Sequence, residues 1–305
     1  MSEQSSVIVS EPKVLSRRAG LRWGFLGVAA FSFTLPFTRI AVGGLSPLFI
    51  GSGRAVVAAL LATVALALAR QPRPTRTQWL RLAVVAGGVV VGFPMLTSFA
   101  LTAVPASHAA VVVGLLPAAT AVMAVLRTKE RPAGRFWVFA ALGAIVAMAF
   151  ASMQGGGFGE LHAADLLLFG AMIAAAVGYA EGGLLARELG SWQTVCWALV
   201  LAAPVMTALT AVSVVDSPPT ATPMQWLAFG YLAAVSMFLG FFAWYRGLGI
   251  GPMAQVSQIQ LVQPVMGILW AAVLLGEQIT WATALGGVAV IACAGLAVRT
   301  RLGRR

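Results

Sequence analysis

Between residues 21 and 298 the chain alternates long apolar runs with short polar breaks. Each run is about 20 residues, the length at which a helix spans the hydrocarbon core of a bilayer. The pattern predicts ten transmembrane helices, at 21–42, 46–69, 79–102, 106–126, 134–153, 164–186, 192–214, 225–247, 253–275 and 280–298. Several breaks carry the Pro and Gly residues that turns require, as in "GGLSP", "RQPRPTRTQ" and "DSPPTATP". None is long enough for a separate soluble domain. The first twenty residues hold no apolar core of signal-peptide type and read as a short mobile tail.

The ten runs fall into two copies of five. Residues 78–130 lie on 225–277 without a gap, and Gln78, Trp79, Pro105, Pro117 and Glu130 meet Gln225, Trp226, Pro252, Pro264 and Glu277. Chance matches among apolar residues are expected in such a chain; two prolines, a tryptophan and a glutamate in one register are not. Five is odd, so the second copy enters the membrane inverted. Inverted repeats mark secondary transporters, with substrate near the midplane between the halves. The predicted organisation is a tail (1–20), a first repeat (21–153), a second repeat (164–298) and a basic tail (299–305).

Pro117 and Pro264 both fall near the middle of their spans. Proline removes a backbone donor and frees a carbonyl one turn earlier. In hydrocarbon that is tolerated beside protein, polar side chains or a wet cavity. A single proline reads as a packing kink, whereas the symmetric pair favours a shared cavity at the midplane. Glu130 and Glu277 then sit at opposite membrane faces, as interfacial residues suited to pairing with a helix end.

Composition agrees with the membrane reading: 60% of the 305 residues are apolar and 10% are charged. Soluble domains carry about 25% charged residues. The net charge of +11 does not point to nucleic acid, because the basic residues separate apolar runs. All but two of the 20 Lys and Arg lie on one side of the predicted bundle. This bias predicts that both termini are cytoplasmic, in an inner membrane. The exceptions are Arg39, within snorkelling reach of the outer surface, and Arg54. Cys196 and Cys293 lie in apolar runs with neither disulfide nor metal-ligand spacing.

The two Pro–x12–Glu segments, Gly276–Glu277 followed by Gly286 and Gly287, and Arg54 seven residues past Pro47 together resemble the drug/metabolite transporter superfamily, in its ten-helix EamA-type branch. The resemblance covers residues 20–300. One departure is "TKE" at 128–130, where the first half of such chains often shows "GE". The resemblance implies export of amino acids, other small metabolites or drugs, with uptake of vitamins or nucleobases in a few members. It also implies that helices 5 and 10 pack outside the transport core. The small-residue stripe Gly143, Ala147, Ala151 suits such packing.

Charges inside a bilayer cost about 2.5–3.5 kcal/mol each on insertion scales, so each needs a reason. Arg54 sits about 12 Å into its helix. It suits a substrate carboxylate and a structural role on helix carbonyls equally. Glu181 suits an amine, a proton or a buried arginine. Asp165 reads as a helix cap and His108 as a hydrogen-bonded interface residue. Tyr179, Trp244, Tyr245 and Trp270 lie inside their helices and suit an aromatic wall or plain packing. The segment "QVSQIQLVQP" is the unusual one. Gln255, Gln258 and Gln263 fall in a sector of about 140° that ends at Pro264. Amides donate and accept, so they bind a zwitterion without a fixed buried charge, or join helix to helix.

The expected ligand is therefore a neutral amphipathic metabolite, most simply an apolar amino acid, carried within the lipid bilayer without cofactor or metal. An importer of a vitamin or nucleobase and a drug efflux carrier are the alternatives. A membrane enzyme is disfavoured, because no DxxD or HExxH occurs and His108 is the only histidine within a span. A passive channel is less readily excluded.

Overall fold

A computed structural model of the chain describes residues 17–128, 133–154, 163–250, 256 and 259–302. Among the described residues every regular element is a helix. In chain order they are α1 (Arg18–Ala41), α2 (Pro47–Leu68), α3 (Arg76–Ala103), α4 (Ala106–Arg127), α5 (Gly134–Phe150), α6 (Ala163–Leu189), α7 (Ser191–Asp216), α8 (Pro223–Ile250), α9 (Ile259–Leu275) and α10 (Trp281–Thr300). Eight are long and apolar enough to cross a membrane; α5 and α9 are apolar but shorter. The bundle's outer surface is itself apolar. Leu60, Leu68, Val273, Leu285 and Val288 each keep more than half their surface exposed. Water would penalise such a surface, while lipid does not.

The two halves are built alike. Thr75 and Gln78 form a reciprocal capping box at the start of α3, and Thr222 and Gln225 repeat it at the start of α8. Further along, both helices widen into π-helical turns, at Ala86–Gly92 and Leu232–Leu239. Proline follows the first of these at Pro94, but Phe241 occupies the matching position in the second. The widening is thus a property of the fold and not of one residue. Pro117 and Pro264 both stand in the first turn of a helical half. In α4 the helix ends at Val113 and restarts at Leu116; in α9 a 3-10 turn at Ile259–Val262 precedes the helix from Gln263. Proline at a helix start sacrifices no hydrogen bond.

Packing follows the same exchange. α2 lies against α7, α5 against α10 and α4 against α9, each pairing an element with its own repeat partner. α1 packs on α8 as α6 packs on α3. The contacts are close because small residues make them. A Cβ on Gly247 would stand 2.6 Å from the Gly24 nitrogen, and one on Gly88 would stand 2.4 Å from the Ala174 carbonyl oxygen. Small-residue approach of this kind replaces the hydrophobic drive that lipid does not supply. α5 and α10 form a peripheral pair in which Gly143 faces Cys293 and Gly286 faces Phe150.

Candidate functional site: a cavity between the repeats

The irregular segments converge. The break in α4, the 3-10 turn of α9, a turn at Phe33 in α1 and both π-helical stretches surround two adjoining cavities. The first holds about 310 Å³ of space, and both Pro117 and Pro264 line it, with Ser32, Gly114, Gln260 and Gln263. The second holds about 450 Å³ and is lined by Thr34, Arg54, Val89, Tyr179, Ser236 and Gln263, among others. Phe31, Leu35 and Gln263 border both.

The walls are mainly apolar, with a few convergent polar groups. Arg54 is 1% exposed, and its Nε and Nη2 have no hydrogen-bond partner. Thr34 and Ser236 join their hydroxyls at 2.7 Å across α1 and α8, which leaves one hydroxyl proton free to donate. Gln263 has an unpartnered Oε1, and both amide atoms of buried Gln260 are unpartnered. Buried polar groups are satisfied in most folds, so three residues with unmet atoms at one place mark a candidate binding site.

Aromatic clusters stand on either side of the cavities. At the end opposite the basic residues, Phe33 stacks on Trp270 with centroids 4.4 Å apart, and Tyr231 stands edge-on to Phe37 at 4.7 Å. All four are half-buried. Trp270 is held by a 3.0 Å bond from Nε1 to the Ser32 hydroxyl, and Tyr231 donates to the Ala30 carbonyl at 3.1 Å. Toward the basic end, Tyr179, Phe241, Trp244 and Tyr245 pack as buried neighbours. Tyr245 donates to the Gly178 carbonyl at 3.4 Å and lies against Gly182.

Below that layer α3, α4 and α6 are tied by ions. The Glu181 carboxylate accepts from Nε of both Arg81 and Arg127, the latter at 2.6 Å, and Arg81 also reaches Glu188 at 2.5 Å. At the other end Glu277 accepts from the backbone N–H groups of Ala106 at 2.8 Å and Ser107 at 2.9 Å. These are two of the donors left open at the start of α4. His108 pairs with Asp165 at 2.7 Å, both buried, joining α4 to α6. Arg39 does not run out to solvent alone: it donates to the Leu101 carbonyl at 2.6 Å in the last turn of α3.

Of the residues singled out in the sequence, Arg54, Tyr179, Gln263, Pro117 and Pro264 line the cavities. Glu181, Trp244, Tyr245 and Trp270 do not; they form the clamp and the aromatic layers around them. Gln255, Gln258 and Glu130 lie outside the described residues. The hydroxyls of Thr34 and Ser236 escaped the sequence reading. The repeat register carried a signal for one of them, since Ser236 matches Val89 and both line the larger cavity. Among the described residues no cluster of His, Cys, Asp or Glu could hold a metal ion.

Comparison with known proteins agrees with this architecture. The sequence profile of the EamA-like transporter family matches twice, over residues 18–152 and 162–299. An "Uncharacterized transporter YdeK" from Bacillus subtilis (strain 168) is 45% identical over 276 residues, covering 90% of this chain and 96% of that one. A solved crystal structure superposes with a TM-score of 0.63 at 20% identity, covering 94% of this chain and 99% of the other; it bears on the fold alone.

Proposed function

The chain belongs to the EamA-like transporter family, and from that premise we propose that it is a secondary carrier moving small amphipathic metabolites, amino acids first among them, through the central cavity by alternating access. That it is a multi-pass membrane transporter follows from the family match and the apolar helices. The finer reading is supported by one observation: the two proline helix breaks line one of two adjoining cavities, both π-helical stretches line the other, and Arg54, Gln260 and Gln263 there carry unpartnered polar atoms.

The proposed setting is a bacterial inner membrane with both termini in the cytoplasm, on the strength of the one-sided Lys and Arg distribution. In this orientation the half-buried Phe33–Trp270 layer faces the periplasm. The buried Tyr245 layer and the Glu181 clamp seal the cytoplasmic side. Transport then requires the two halves to rock about the cavity, opening one layer as the other closes. Net export is the proposed direction. Uptake of amino acids and nucleobases into proteoliposomes tests the reading: the flux of at least one should saturate with concentration and be competed by close analogues. Flux that rises linearly for every solute favours a channel.

A further inference from the structure

We infer that Arg54 is the anchor for a substrate carboxylate, so that the carrier selects organic monoanions with an apolar or aromatic body, and the ammonium group of an amino acid is not required for binding. The inference rests on the carrier reading above and narrows its substrate class.

Arg54 lies on α2 and reaches the larger cavity at the level of the Thr34–Ser236 hydroxyl pair. A guanidinium has five N–H donors and stays charged in proteins. Buried without a counter-ion, it costs several kcal/mol. Each described carboxylate is engaged or remote. Glu181 and Glu188 hold Arg81, Asp165 holds His108, Glu277 caps α4, and Asp216 is exposed at the end of α7. Arg39, by contrast, satisfies itself on backbone carbonyls, which shows how this fold treats a purely structural arginine. Arg54 lines this cavity, and its buried Nε and Nη2 are unmet; that edge of a guanidinium is the one that takes a carboxylate through two parallel bonds.

The surroundings define the remainder of the ligand. Phe31, Phe93, Tyr179 and Phe241 supply an apolar and aromatic wall. The spare hydroxyl proton of the Thr34–Ser236 pair offers one more donor to an anion. No acidic side chain lines either cavity among the described residues, so nothing there favours an ammonium over a neutral or hydrogen-bonding group. An amino acid is accommodated through its carboxylate, with its amino group left to the acceptor oxygens of Gln260 and Gln263.

The experiment compares 3-phenylpropionate with its neutral amide, 3-phenylpropanamide, on the purified full-length protein, reading dissociation constants by calorimetry and stability by thermal unfolding. Wild type should bind the acid about tenfold to a hundredfold more tightly than the amide, as expected for a hydrogen-bonded charge pair. Arg54→Gln should abolish that preference, and Arg54→Lys should retain part of it. Empty Arg54→Gln should melt at or above wild type, because an uncompensated buried charge has been removed. The inference is overturned if wild type does not distinguish acid from amide, including the case in which neither binds. It is equally overturned if Arg54→Gln keeps the preference, or if both Arg54 variants melt well below wild type. The carrier reading fails separately, if no amino acid or nucleobase shows saturable flux. Saturable flux without acid preference would sink the anion site and leave the carrier standing.

Discussion

Glu277, just past the end of α9, grips the first turn of α4: its two carboxylate oxygens accept the N–H groups of Ala106 and Ser107, 171 and 170 residues away in sequence. A charged cap at a helix N-terminus contributes about 1–2 kcal/mol. The bond also joins the broken helix that carries Pro264 to the one that carries Pro117. Glu277→Ala should therefore lower the melting temperature by several degrees and slow transport. Glu277→Gln should do less, since one amide oxygen can still accept. Unchanged melting in Glu277→Ala would show that the cap is dispensable.

Glu181 is held by two arginines from different helices. Arg127 is half exposed, which weakens its contribution, while Glu181 is nearly buried. Breaking the cluster should cost between the surface figure of about 1 kcal/mol and the buried figure of about 3–5 kcal/mol. Glu181→Gln should loosen the cytoplasmic seal and reduce stability, leaving the response to an imposed pH gradient as in wild type. If wild type accumulates substrate under a pH gradient and Glu181→Gln alone abolishes that accumulation, Glu181 carries protons and the clamp reading is wrong.

Gln263 borders both cavities with an unpartnered oxygen, in the first turn after the break in α9. Gln263→Leu should lower flux by about tenfold, the effect of one lost hydrogen bond to a ligand, while melting temperature stays near wild type or rises. Flux that falls only in proportion to lost stability would assign the amide to helix packing.

Orientation has its own check. A single cysteine replacing Ser217, beyond the end of α7, should react with an impermeant maleimide from the periplasmic side. One replacing Thr75, the cap of α3, should react only from the cytoplasm. Labelling of position 75 from outside would reverse the assignment.

The helices were legible because a bilayer demands about 20 apolar residues per span, and the repeat was legible because prolines and glutamates stand out in apolar sequence. The meeting of Pro117 and Pro264 at one cavity could be anticipated from symmetry. The π-helical turns could not: Pro94 accompanies the first, but nothing local marks the second at Leu232–Leu239. Partnerships were the least visible feature. Glu181 meets arginines 54 and 100 residues away, and Thr34 meets Ser236 at a separation of 202. The idle state of Arg54 could not be read from its own helix, because it depends on where the chain's carboxylates go. Of the stripe Gln255–Gln258–Gln263, Gln263 lies among the described residues and borders both cavities, with Gln260 lining the first.

Alternating access at the central cavity is the core of this account, and counterflow measures it directly. Proteoliposomes are preloaded with unlabelled phenylalanine, diluted into labelled phenylalanine and followed over minutes. A carrier with one site between two closing layers should show transient accumulation of label above equilibrium, which then decays as the internal pool is lost, with the overshoot much reduced in Gln263→Leu. A monotonic rise to equilibrium with no overshoot, for phenylalanine and for every other amino acid tried, would contradict the account.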